Sequence, residues 1–163
     1  MATKIPRTLI VCVSKHRGNT LKIANAMAEV LEADLISPAE FSPELATSYD
    51  LIGFGSGVYH QQLDSKIREA VSWLSKDYQR PVFLFSTSVS GVKTPHQELK
   101  THLNEINYPV IGEFSCRGKM TYGLTKLFGG INPTRPNAGD LDNAAFFAKE
   151  LIGKPFFNKI DKK

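Results

Sequence analysis

Seven residues near the start of the chain carry the types and spacing that bind phosphate: Ser14-Lys15-His16-Arg17-Gly18-Asn19-Thr20. They stand between a short apolar run, Ile10-Val11-Cys12-Val13, and a run of helical spacing from Leu21 to Leu31. The turn therefore sets two hydroxyls, an amide and basic side chains at a helix N-terminus. Backbone N–H groups there lack intrahelical acceptors, and the helix dipole adds partial positive charge, so an anion is favoured. Gly18 relaxes the turn, and Asn19 or Thr20 is the expected N-cap. The same residues also suit an ordinary strand-to-helix turn, and one short motif does not choose between these readings.

The elements that must hold this turn follow from hydrophobic periodicity. Strand runs are predicted at Ile10–Val13, Asp34–Ser37, Asp50–Ser56, Pro81–Ser86 and Val110–Cys116. Between them lie helical patterns. One runs from Asp64 to Ser75 with Ile67, Ala70, Val71 and Leu74 on one face, and another follows Pro95 with Leu99, Leu103 and Ile106. The last helix carries Leu141, Ala144, Ala145, Ala148, Leu151 and Ile152. Residues 38–49 leave room for at most one helical turn. Strand and helix alternate, and the first, third and fourth strands are apolar on both faces. Such a chain predicts an α/β fold, a doubly wound parallel sheet with helices on both sides. Its 163 residues predict one domain. The stretch 117–139, with five glycines and two prolines, is far longer than an ordinary connection.

In a doubly wound sheet, ligands bind beyond the carboxyl ends of the strands. Two further loops reach that edge, Ser56-Gly57-Val58-Tyr59-His60-Gln61 and Ser86-Thr87-Ser88-Val89-Ser90-Gly91. They offer hydroxyl and backbone hydrogen bonds without net charge, plus one aromatic ring. A flat, polar-edged heterocycle with a phosphate tail matches all three loops together.

The chain resembles the flavodoxin family. The likeness is carried by the Ser14–Thr20 loop with Ala24 and Met27, by Tyr49 through Tyr59, and by Phe85-Ser86-Thr87-Ser88. It continues through Gly112–Gly118 and Phe128-Gly129-Gly130-Ile131-Asn132 to Pro136-Asn137. The resemblance implies five strands in the order 2-1-3-4-5 and a non-covalent flavin mononucleotide (FMN). It places the phosphate on Ser14, His16, Arg17, Gly18, Asn19 and Thr20. It places the flavin ring between Ser56, Gly57, Val58, Tyr59 and His60 on one side and Ser86, Thr87, Ser88, Val89, Ser90 and Gly91 on the other. Arg117, leaving the fifth strand, emerges at the ring's edge. Tyr59 stacks on the ring or covers a helix end; Arg17 contacts phosphate or is a solvated cation. The phosphate loop is one residue longer than the family's usual pattern, and the usual aromatic on the first strand is absent.

Charge narrows the role. The chain carries a net +4, but residues 1–116 hold 11 basic and 12 acidic residues, whereas 117–163 hold 9 and 4. No dense basic cluster with interleaved aromatics suggests nucleic acid. No apolar run approaches the roughly 18 residues of a membrane span. The first residues lack a signal-peptide core, so a cytoplasmic location is expected. Cys12 and Cys116 are expected to be unpaired packing thiols, and neither they nor the four histidines have metal-ligand spacing. The G-x-G at Gly53–Gly55 fails the dinucleotide fingerprint because Val58 stands at the third glycine position.

The expected function is electron transfer, first as a one-electron carrier to an acidic redox protein. The alternatives are an FMN-dependent quinone or protoporphyrinogen-type oxidoreductase, and a cofactor-free protein-binding domain. Arg117, Lys119, Lys126 and Arg135, interleaved with Met120, Tyr122, Leu124, Leu127 and Phe128, make 117–139 a flap for an acidic partner or a quinone-like substrate, or only a packed loop.

Overall fold

The computed structural model describes residues 4–15 and 17–157. Its strands are β1 (Thr8–Val13), β2 (Asp34–Ile36), β3 (Leu51–Tyr59), β4 (Gln62–Leu63), β5 (Val82–Ser88) and β6 (Val110–Arg117). Its helices are α1 (Asn19–Leu31), α2 (Pro43–Ala46), α3 (Ser65–Ser72), α4 (Gln97–Glu105) and α5 (Ala138–Ile152). Shorter 3-10 turns lie at Pro38–Glu40, Thr94–His96 and Gly123–Phe128.

The sheet runs β2-β1-β3-β5-β6, every neighbouring pair parallel. The five long strands thus stand in the expected order. Helices α1 and α5 cover one face, where Ile23, Met27, Leu31, Ala144, Ala148 and Leu151 pack on Ile10, Leu51, Phe83 and Phe85. Helices α3 and α4 cover the other, with Ile67, Val71, Leu99 and Leu103 against Leu9, Val11, Phe54 and Leu84. Central strands buried on both faces explain why they read as unbroken apolar runs.

Gly53 and Gly55 serve this packing. A Cβ on either would come within 2.2 Å of the Phe83 or Phe85 ring, so the glycines leave room for two phenyl groups lying across β3. The G-x-G is a packing device.

Three local features differ from expectation. Strand β4 is new: it folds back antiparallel on the end of β3, pairing Tyr59 with Gln62 across His60 and Gln61. Both turn residues take positive φ, 49° and 62°, as a two-residue hairpin demands. Residues 38–49 hold two turns instead of at most one, each opened by a Ser-Pro step, Ser37-Pro38 and Ser42-Pro43. Ser42 Oγ accepts from the Leu45 amide, the Ser37 amide and hydroxyl donate to the Glu40 carboxylate, and proline at the first position gives up a donor that would lie idle. Helix α3 ends at Ser72, capped at its start by Asp64, and Leu74 is buried beyond it.

Cys12 and Cys116 are both buried and free. Strands β3 and β5 stand between theirs. Burial pushes both thiols up to about 12, which keeps them protonated.

Candidate functional site at the carboxyl edge of the sheet

The sheet changes character at its carboxyl edge. Val13, Ser56, Ser86 and Ser115 share one register line, and Gly57, Thr87 and Cys116 form the next. Each central strand is apolar up to that line and carries hydroxyls from it onward. There the chain leaves β1, β3, β5 and β6 on the same side.

These exits line one narrow, half-open cleft. It is lined by Asn19 and Thr20 from α1, Gly57, Val58 and Tyr59 from β3, and Thr87, Ser88 and Val89 from the β5 exit. Gly118, Lys119 and Met120 close it from the β6 side. Eight residues expected from the sequence therefore meet in one cavity. The lining by 118–120 was not foreseen, although the basic flap containing it was.

The start of α1 is built differently from expectation. Gly18 is the N-cap, in the left-handed region at φ 69°, and no side chain caps the helix. The Thr20 hydroxyl is instead 2.8 Å from the Thr87 hydroxyl, tying α1 to the β5 exit. The Asn19 amide donates to the Lys119 carbonyl at 2.8 Å. Chain 118–119 lies so close that a Cβ on Gly118 would be 3.0 Å from Asn19 Nδ2. This contact forms a crossbar, with the cleft walled by Tyr59 on one side. On the other lies a second, basic cleft of Arg17, Lys22, Lys119 and Arg135, with Asn19, Thr134 and two prolines.

Ser14 gives the clearest indication of what is bound. Its Oγ is buried and has no hydrogen-bond partner among the described residues. A buried hydroxyl left so costs stability unless a ligand or water satisfies it. It lies at the exit of β1, in the loop that leads to the uncapped helix start. Arg17 faces the basic cleft, and His16 lies outside the described residues.

Lys15 reaches the opposite way. Its ammonium is 2.5 Å from the buried Asp64 carboxylate and 5.3 Å from the centre of the Tyr59 ring. Burial opposes the Asp64 charge, but hydrogen bonds from Lys15 and the Lys66 amide, with both ammonium charges, hold its carboxyl below its ordinary value. Tyr59 in turn folds over Gly57, whose added Cβ would lie 2.7 Å from the phenol oxygen. The aromatic expected beside the ring thus has a fixed place on the cleft wall.

Other expected residues support the cleft from behind or lie beside it. Ser56 is fully buried and accepts from the Asp64 amide at 2.9 Å. Ser86 is fully buried, 2.8 Å from His96 Nε2 and 3.2 Å from the Ser115 hydroxyl. His96, which sequence reasoning passed over, closes the loop after β5 by joining its two ends. Ser90, Gly91 and Arg117 line a neighbouring polar cleft with Cys116 and Asp140. His60 is exposed in the β3–β4 turn.

The comparisons with known proteins agree with this architecture. A family model described as a flavodoxin domain matches residues 9–128. The uncharacterized protein MJ0298 of Methanocaldococcus jannaschii is 39% identical over 148 residues, spanning 90% of this chain and 98% of its own. A flavodoxin from the domain Archaea superposes with a TM-score of 0.68 at 12% identity, covering 90% of this chain and 96% of that one. Megasphaera elsdenii flavodoxin in its two-electron reduced form gives 0.61 at 19%, covering 87% and 98%. The chain belongs to the flavodoxin family. FMN is the cofactor of that family, and the donor set here, an unpaired buried hydroxyl beside an uncapped helix start, fits a phosphate monoester.

Proposed function

We propose that this protein binds FMN at the carboxyl edge of its sheet and passes single electrons to a redox protein with an acidic face. The observation that carries the reading is the Ser14 hydroxyl, buried without a partner among the described residues, in the loop that leads from β1 to α1, whose first residues Asn19 and Thr20 line the cleft with Tyr59 on its wall. Ser14, the α1 N–H groups and Arg17 hold the phosphate. Tyr59 and Val58 flank one side of the ring, and Thr87, Ser88 and Val89 the other. FMN supplies the capacity to take up and release electrons singly or in pairs. The chain's own residues bind it, orient it and keep water from its buried side. The acidic partner is inferred from charge, since residues 117–139 hold four basic side chains and no acidic one.

Met120 on the cleft wall favours a second reading, in which the flap covers a quinone-like substrate for FMN-dependent turnover. Redox titration of the FMN-loaded protein separates the two. Two resolved one-electron potentials, without NAD(P)H-dependent quinone turnover, support the carrier. A single two-electron step with fast turnover refutes it.

A further inference from the structure

The chain between β6 and α5 is an ordered arm with an apolar end. Its stem is held by a mutual backbone pair between Met120 and Ile131, at 2.9 and 2.7 Å, and by the Lys119 amide donating to Arg135 at 2.9 Å. Asn132 fastens the stem to the body by donating to the Val89 and Gly118 carbonyls. At the far end the Gly123–Phe128 turn is closed by Thr125, whose hydroxyl accepts from the Tyr122 amide and donates to the Tyr122 carbonyl. The Gly130 amide donates to Thr125 at 2.7 Å.

From this turn four large side chains stand in water: Tyr122 80%, Leu124 78%, Leu127 77% and Phe128 85% exposed. Met120 and Ile131 are exposed lower on the arm. Nothing among the described residues covers them, and an exposed apolar cluster of this kind marks an interaction surface. Because hydrogen bonds already fix the turn, seating it elsewhere costs little further ordering.

We propose that the 122–128 turn seats this protein in the interfacial layer of an anionic lipid bilayer. Charge complementarity selects the occupant: Arg117, Lys119 and Lys126 have no acidic partner among the described residues, whereas Arg135 is paired with Asp140 at 2.5 Å. Lys126 separates lipid from an acidic protein groove. In the chain it lies between Leu124 and Leu127-Phe128 and is itself exposed, so a surface that takes up those side chains meets its ammonium as well. Lysine is depleted from the desolvated centres of protein interfaces. At a bilayer surface its stem lies among apolar chains while the ammonium reaches the headgroup phosphates. The stem of the same arm lines the ring cleft through Gly118, Lys119 and Met120, so seating the tip brings that cleft to the membrane, where a membrane-held redox partner meets it. The inference goes beyond electron transfer and does not depend on FMN being bound.

The test is flotation of the full-length protein with vesicles of phosphatidylcholine alone and of equal parts phosphatidylcholine and phosphatidylglycerol. The parent should float with the anionic vesicles, less with the neutral ones, and less again in high salt. Leu124→Ser with Phe128→Ser should lower the partition coefficient by about a hundredfold, roughly tenfold for each apolar side chain kept in water. Lys126→Gln should lower it by about fivefold, near 1 kcal/mol per basic residue. An unchanged thermal midpoint confirms that the variants fold. Absence of binding to either vesicle overturns the proposal, as does equal binding by parent and double variant. So does a parent that light scattering shows to be a dimer which the double variant dissolves, since a second copy would then cover the tip.

Discussion

The ammonium of Lys15 lies 2.5 Å from the buried carboxylate of Asp64. One residue belongs to the phosphate loop after β1, the other caps α3 just beyond the β3–β4 hairpin. The pair therefore ties the loop after β1 to the segment that follows the β3–β4 hairpin, joining two of the loops proposed to hold FMN. Asp64 also receives the Lys66 amide at 2.9 Å and passes its own amide to Ser56.

Asp64→Asn keeps a cap acceptor for α3 but removes the charge that anchors Lys15. Because Lys15 is half exposed, the loss is modest, about 1 kcal/mol at neutral pH. The folded-state carboxyl lies below its ordinary value, so its contribution is present at neutral pH and lost as acidification reaches the carboxylate range near 4 and below. Urea titrations at pH 7 and pH 3 should show parent and variant converging at the lower pH. Equal separation at both values would detach the effect from this ion pair.

His96 should give a second pH signature. Burial holds its imidazole below the ordinary value against the raising influence of Glu113, while Lys93 and Lys100 act with burial. The unfolded chain therefore takes up a proton first as pH falls, and stability declines from about 6.5 downward. His96→Gln retains a group able to hydrogen-bond Ser86 and should flatten that slope. His96→Leu should cost about 1 kcal/mol by removing one of the two hydrogen-bond partners of the buried Ser86 hydroxyl and loosening the Thr87–Pro95 loop. Chemical denaturation at several pH values checks both, and an unchanged slope in His96→Gln would assign the titration elsewhere.

Much of this arrangement was legible in the residue pattern, for physical reasons. Strands buried on both faces must be apolar throughout, so β1, β3 and β5 announced themselves, and the Gly, Ser and Thr content after them marked the ligand edge. Side-chain partners were not legible. Asn19 and Thr20 look like helix caps in one dimension, but Lys119 and Thr87, 100 and 67 residues away, take their hydrogen bonds. The β3–β4 hairpin was hidden because His60-Gln61 lacks the Asn-Gly signal of such turns. His96 gave no motif, since it meets Ser86 only when β5 and the following turn fold together. The arm at 117–139 was recognised as basic and apolar, yet its internal backbone pairing left no periodic trace.

Ser14 offers a mutation with opposite effects on protein and ligand. Its Oγ has no partner among the described residues, so Ser14→Ala should leave the apoprotein as stable as the parent or slightly more so. Losing a hydrogen bond to a charged phosphate costs about 1.5–3 kcal/mol, or roughly tenfold to a hundredfold in FMN affinity. Riboflavin, which lacks the phosphate, should bind parent and variant alike. Equal losses for both ligands would move the phosphate away from this loop.

The most direct measurement is titration of the cofactor-stripped protein with FMN, followed by quenching of flavin fluorescence and by absorbance retained after desalting. The loop, cleft and Tyr59 wall predict saturable quenching at one FMN per chain and a yellow protein after desalting, with riboflavin bound more weakly. Undiminished FMN fluorescence and a colourless protein would contradict the assignment of this edge as a flavin site.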